Sequence, residues 1–313
     1  VLYERRLRRR GDTMENISLA RLHSAESGCA EDVDVAGERA AVGAVVASSS
    51  SDAAAAGPCA AVLLDGLTKI YPARGRVPPK VAVVDLSLAI GKNECFGFLG
   101  VNGAGKTTTL SMLTGEFAPT TGRAWVAGFP LREQRRIRRH IGYCPQFDPL
   151  LELLTGREML SMFARLRNVP EAAVPSTVSH LIERVALTPF ADRRCGTYSG
   201  GNKRKLSLAV ALVGSPRVVF LDEPSSGMDP VSRRFMWDII AAERARRCIV
   251  LTTHSMEECE ALATRIGIMA GGRFRCLGSQ QHLKSKFGRG YLLDVRVAHH
   301  ARASTTEALL ATF

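Results

Sequence analysis

The sequence has 313 residues, 46% of them apolar and 23% charged, the balance of an ordinary globular protein with room for one large domain or two small ones. No apolar run approaches the roughly 20 residues that a membrane-spanning helix requires, because the longest, at 40–51 and 53–64, are short and mostly Ala and Ser. A net charge of +12 invites a nucleic-acid partner, yet much of it sits in two arginine runs without interleaved aromatics, which leaves base stacking unsupported and argues against nucleic acid.

The first run is Arg5, Arg6, Arg8, Arg9 and Arg10. It reads either as solvated charge or as a juxtamembrane segment facing anionic lipid headgroups, where each Arg would contribute about 1 kcal/mol. Val1 stands where an initiating Met is expected, and no signal-peptide core follows, so the sequence reads as a piece of a longer chain. Residues 11–59 are low in aromatics and rich in Ala, Ser and Gly. They predict a disordered linker, making 1–59 a basic segment plus linker. The eight cysteines form no CxxC pair, so free thiols in a reducing compartment, the cytosol, are expected.

From residue 60 the pattern turns globular, and 60–290 is expected to form one domain. Residues 61–71 and 81–90 alternate like strands on either side of a Pro- and Gly-containing loop. Short apolar strands are expected at 95–99, 141–144, 217–221, 248–252 and 266–269, with helices at 158–167, 177–186, 206–213 and 232–244. Buried strands alternating with helices predict an α/β fold with a largely parallel sheet and antiparallel strands near the start. The second arginine run (Arg132, Arg135, Arg136, Arg138, Arg139) lies on a short helical stretch. Residues 291–297 read as one more strand, opening a C-terminal extension at 291–313.

Two patterns carry chemistry. Gly100-Val-Asn102-Gly103-Ala-Gly105-Lys106-Thr107-Thr108 contains G-x-x-x-x-G-K-[ST] between an apolar strand and a helix. Its glycines let successive backbone N–H groups converge on one anion at the positive end of the helix. Lys106 then reaches the outer phosphates and the Thr107 hydroxyl a Mg²⁺ ion. Val218-Val-Phe-Leu-Asp222-Glu223 describes a buried strand ending in two carboxylates. Asp222 is placed to hold Mg²⁺, and Glu223 to act as general base on water. Ser199, Gly200 and Gly201 offer a hydroxyl and backbone N–H groups ahead of a helix, a second anion-binding geometry.

With Tyr198-Ser-Gly-Gly-Asn-Lys-Arg-Lys205, Gly142-Tyr-Cys-Pro-Gln146, Ser225-Ser-Gly-Met-Asp229-Pro and Leu251-Thr-Thr-His254 added in that family's order, the chain resembles the ATPase domain of ABC transporters. The resemblance covers about 62–297 and is strongest to subfamily A, most like the second of its two ATPase domains. It implies a P-loop NTPase with a RecA-like core, an antiparallel β subdomain and a helical signature subdomain. It also implies ATP and Mg²⁺ as ligands and a place at the cytoplasmic face of a membrane. Tyr71 then matches the residue that stacks on adenine. Gln146 matches the one that touches Mg²⁺ and the attacking water, and His254 the one that bonds the γ-phosphate. Implied partners are a second ATPase domain, closing head-to-tail over two ATP molecules, and membrane-spanning domains that carry lipid or sterol.

Ser225-Ser226 departs from the Thr-Thr or Thr-Ser pair expected there. Two rivals remain. A soluble ABC-type ATPase acting on ribosomes or nucleic acid would need a tandem ATPase domain or a coiled coil between the motifs, and the sequence has neither. A nucleotide-binding regulator without turnover is disfavoured by the presence of Glu223 and His254.

Overall fold

In the computed structural model, which describes residues 31–48, 60–73 and 78–288, the apolar runs build two sheets. The smaller is antiparallel, in the order β2-β1-β4-β5, from β1 (Ala60–Tyr71), β2 (Lys80–Gly91), β4 (Thr121–Val126) and β5 (Phe129–Pro130). The larger has the order β10-β9-β3-β8-β7-β6. Its strands β3 (Cys95–Leu99), β6 (Ile141–Cys144), β7 (Val218–Asp222), β8 (Cys248–Thr253) and β9 (Arg265–Ala270) run parallel. β10 (Arg273–Gly278) returns antiparallel to β9. Every residue of β3, β7 and β8 is buried, which explains why these strands are continuous apolar runs instead of alternating ones.

Helices cover this sheet. α2 (Lys106–Thr114) follows β3, α6 (Gly200–Leu212) precedes β7, and α7 (Pro230–Arg244) with α8 (Met256–Leu262) flanks β8. A short α3 (Gln134–Ile137) carries part of the second arginine run. A helical unit of α4 (Gly156–Leu166) and α5 (Val174–Arg184) stands between β6 and α6. Thr155 and Glu158 close α4 with a reciprocal capping box, and Tyr198 donates to the Phe190 carbonyl at 2.6 Å, tying the unit to the start of α6. The expected α/β class, parallel core and early antiparallel strands agree with this architecture. β4, β5, β10 and α9 (Gln280–Phe287) were not anticipated, and α6 begins at Gly200, ahead of the expected 206. The arginines at 5–10 and the strand at 291–297 lie outside the described residues.

The expected linker differs in part. Within 11–59, α1 (Val33–Ala47) is a helix whose Val35 and Val42, two turns apart, are buried against the antiparallel sheet. Val42 packs with Leu63 and Trp125. Glu38 accepts from the Ala89 N–H at 2.8 Å and pairs with Arg265 at 2.8 Å. Asp34 meets Lys286 of α9 at 2.7 Å and His282 at 2.8 Å. Alanine lowers the cost of forming the helix, and two valines on one face suffice when a sheet already offers the other half of the contact. Composition had hidden that stripe.

Candidate active site

The strands of the parallel sheet end together along one edge, where α/β folds of this kind hold ligands. β3 passes there into the glycine-rich loop. A Cβ on Gly100 would strike the Met269 carbonyl, and one on Gly105, at φ +108°, would come within 2.6 Å of the Ala82 carbonyl. Both positions therefore demand glycine. Lys106 begins α2 and is 4% exposed, its Nζ donating to the carbonyls of Gly100 (2.6 Å) and Val101 (3.1 Å). The ammonium is thus held over the loop by the loop's own backbone. Burial pushes its pKa down, against the charges of Glu223 and Asp222.

β7 delivers the carboxylates to the same edge. Asp222 is 1% exposed, and burial pushes its carboxyl pKa up, opposed by hydrogen bonds from Thr252 and Thr107. Thr107 donates to Asp222 Oδ1 at 3.2 Å, and Thr252 to the same oxygen. Glu223 adopts φ +47°, a strained left-handed conformation that costs about 1–3 kcal/mol in a residue other than glycine. Its N–H donates to the Thr252 carbonyl at 3.1 Å. Gln146 Nε2 donates to Glu223 Oε2 at 3.4 Å, and His254 Nδ1 lies 3.3 Å from Glu223 Oε1, with the imidazole 54% exposed. A cavity of about 110 Å³ opens between Glu223, Ser225, Ser226, His254 and Ser255, with room for water beside the Glu223 carboxylate.

What holds the strained turn is Arg204, 4% exposed on α6. Its Nη2 donates to the carbonyls of Asp222 (2.7 Å) and Glu223 (2.9 Å), and its Nε to that of Pro224 (2.8 Å). Its Nη1 reaches the carbonyls of Pro145 and Gln146 and the Asp148 carboxylate at 2.9 Å. One guanidinium fork therefore fastens the Gln146 loop to the carboxylate turn. Arg204 and Thr252 sat inside recognised motifs without a role. The signal for Arg204 was a cation on the same helical face as Leu208 and Ala211, where burial is expected.

None of the remaining candidates lines the cavity beside Glu223. Ser199 caps α6 by accepting from the Asn202 N–H at 3.3 Å. Ser199 and Gly200 are exposed, and neither lines the cavity beside Glu223. Tyr71, at the end of β1, meets Phe117 edge-to-face with centroids 6.1 Å apart and lies 5.5 Å from Lys69 Nζ. Asn102 and Gly103 are exposed at the loop tip, and Thr108 follows Thr107 on α2. All six described cysteines are free, as expected.

A strand, a glycine loop closing on a buried lysine, and a second buried strand ending in two carboxylates define a P-loop nucleotide-binding fold. Residues 83–226 match the family model described as ABC transporter. The chain is 49% identical to the phospholipid-transporting ATPase ABCA3 of Rattus norvegicus over 93% of its own length and 16% of that protein's. It is 54% identical to the retinal-specific phospholipid-transporting ATPase ABCA4 of Homo sapiens over 75% of the chain and 10% of the relative. It thus spans about a sixth or less of the curated relatives it matches. Among solved structures it resembles an ATP-binding subunit of an ABC transporter, with TM-score 0.66, 25% identity, and coverage of 74% of this chain and 95% of that one. A dimeric ATP-binding cassette bound to ADP and Pi shares the fold at TM-score 0.65 and 21% identity, covering 74% of this chain and all of that one. The chain carries an ABC-type ATPase domain, related to those of the subfamily A phospholipid transporters.

Proposed function

We propose that this domain binds Mg²⁺-ATP at the Lys106 edge, hydrolyses it with Glu223 as general base, and couples the cycle to lipid movement across a membrane. The observation that carries this reading is the convergence of Lys106, Thr107, Asp222 and Glu223, with Gln146 and His254 both on the Glu223 carboxylate. Backbone N–H groups of 100–106 would cradle the phosphates, with Asn102, Gly103 and Thr108 beside them, and Tyr71 would stack on the adenine. The donors fit Mg²⁺: a hydroxyl, a carboxylate and an amide are hard oxygen ligands, and buried Asp222 bonds two hydroxyls, leaving its charge for a cation. Thr107, Asp222 and Gln146 would hold that ion, which would offset phosphate charge. Glu223, fixed by its strained turn, would draw a proton from water in the adjoining cavity, an effect worth about 10²–10⁴ in rate. His254 would bond the γ-phosphate.

Ser199 and Gly200, exposed, and the half-buried Gly201 form an anion-binding helix start outside the Glu223 cavity, which favours use in trans. We read the partner as a second ATPase domain that closes head-to-tail, so that each signature completes the other's site. Phe147 and Leu153 are exposed beside the Gln146 loop and would meet the membrane-spanning partner on the cytoplasmic face. The likeness to ABCA3 and ABCA4 supports a lipid cargo, and the motif details support the position of the second ATPase domain in the full transporter. The experiment is Glu223→Gln: ATP binding should persist while turnover falls at least about a hundredfold. Undiminished turnover overturns the assignment of the base.

A further inference from the structure

The parallel sheet has a second edge that the nucleotide reading does not use. At the N-terminal ends of β7 and β8 lies a cavity of about 490 Å³, a size typical of small-molecule sites. Its polar lining is Lys92, Asn93, Arg217, Arg246 and Arg247, and among the described residues no carboxylate lines it. These cations come from three separate segments: the β2–β3 turn, the residue before β7, and the α7–β8 connection. Nor does a carboxylate of the described residues pair with Lys92, Arg217 or Arg246.

Arg247 is the telling member. It is 8% exposed; its Nε lies 2.6 Å from Glu243 Oε2, and its Nη1 is buried without a hydrogen-bond partner. Glu243 is shared with Arg184, so one buried carboxylate serves two guanidinium groups. Burial pushes the Arg247 pKa down; Glu243 opposes this, and the charges of Arg184 and Arg246 add to it. A buried cation that shares its one carboxylate and leaves a hydrogen bond unmade is costly. The C-terminal carbonyls of α7 attract Arg246 and Arg247, but account for neither Lys92 nor Arg217.

We propose that this pocket binds a small anion carrying two or more phosphate groups, held by Lys92, Arg217, Arg246 and Arg247. Guanidinium forks match phosphate oxygens two at a time, and Lys92 adds a point charge. One phosphate group carries about −1.5 to −2, so four cations sharing part of one carboxylate call for more than one. The site is distinct from the nucleotide edge, since β7 from Val218 to Asp222 separates them by roughly 13 Å. The clustered phosphates could belong to a soluble molecule or to a lipid headgroup.

The test uses the full chain with Lys106→Ala, which silences the phosphate loop. Inorganic triphosphate is titrated by calorimetry, and vesicles of phosphatidylcholine with and without phosphatidylinositol bisphosphate are tested by co-sedimentation. Triphosphate should bind, and adding Arg217→Gln with Arg246→Gln should weaken it at least about tenfold. Vesicle binding that needs the bisphosphate lipid and is lost with the same pair identifies a headgroup; triphosphate binding alone identifies a soluble ligand. Fold is checked separately, because Arg217→Gln/Arg246→Gln with Lys106 intact should keep its ATP affinity. Binding of neither probe, or binding that the arginine pair does not change, overturns the proposal.

Discussion

Strand β7 has a different kind of charge at each end. At its C-terminal end the carboxylate of Asp222 is bonded by two threonine hydroxyls, and the Glu223 turn is bound through its backbone by Arg204. At its N-terminal end Arg217 opens onto Lys92, Arg246 and Arg247, and no carboxylate of the described residues is in the lining. One edge is a set of charges oriented in advance by neutral and backbone partners, the arrangement that favours chemistry on a bound ligand. The other is a set of cations in which only Arg247 has a carboxylate, Glu243, among the described residues, and shares it with Arg184, which favours binding an anion. Parallel strands make the division possible, because all their C-terminal ends fall on one side and all their N-terminal ends on the other.

That contrast can be broken by perturbing the ends separately. The largest effect is expected from Lys106→Ala, which should weaken ATP binding at least about a hundredfold by calorimetry while leaving phosphate binding at the Arg217 edge intact. Next comes Arg204. Arg204→Met strands several buried carbonyls and should lower unfolding stability by about 3–5 kcal/mol in denaturant titration. Arg204→Lys keeps the charge but loses the fork, so turnover should fall about tenfold or more with ATP affinity held. An equal fall in affinity would reduce Arg204 to a packing role.

Smaller effects lie away from both edges. Val42→Ala on α1 should lower stability by about 1–3 kcal/mol, read by thermal unfolding, without changing ligand affinity at either edge. The smallest involves Asp34, whose carboxyl is pulled down to about 2 by hydrogen bonds from Lys286 and His282. A depressed carboxylate contributes in full above its unfolded value near 4 and loses that contribution as pH falls toward 2. Amide exchange in α1 should therefore quicken across that window, modestly because the pair is partly exposed, and Asp34→Asn should remove the pH dependence.

The phosphate loop and the acidic strand end were legible because each is contiguous: spacing alone sets a glycine turn before a lysine, or two carboxylates after four apolar residues. The buried strands were legible for the same reason, since burial on both faces writes itself as an unbroken apolar run. α1 was not, because its two buried valines matter only against a sheet that the local sequence does not contain. β4 and β10 stayed hidden too, because their register is set by pairing with the distant β1 and the neighbouring β9.

The sequence by itself thus determined the chemistry of each motif and the class of the fold, since these depend on residues within a few positions of one another. Only the tertiary structure decided that Arg204 binds the Gln146 loop to the Glu223 turn, that Thr252 shares Asp222, and that cations from three segments meet at the far edge. Those contacts join residues tens of positions apart, and their existence depends on how strands pair and which side chains lose access to water.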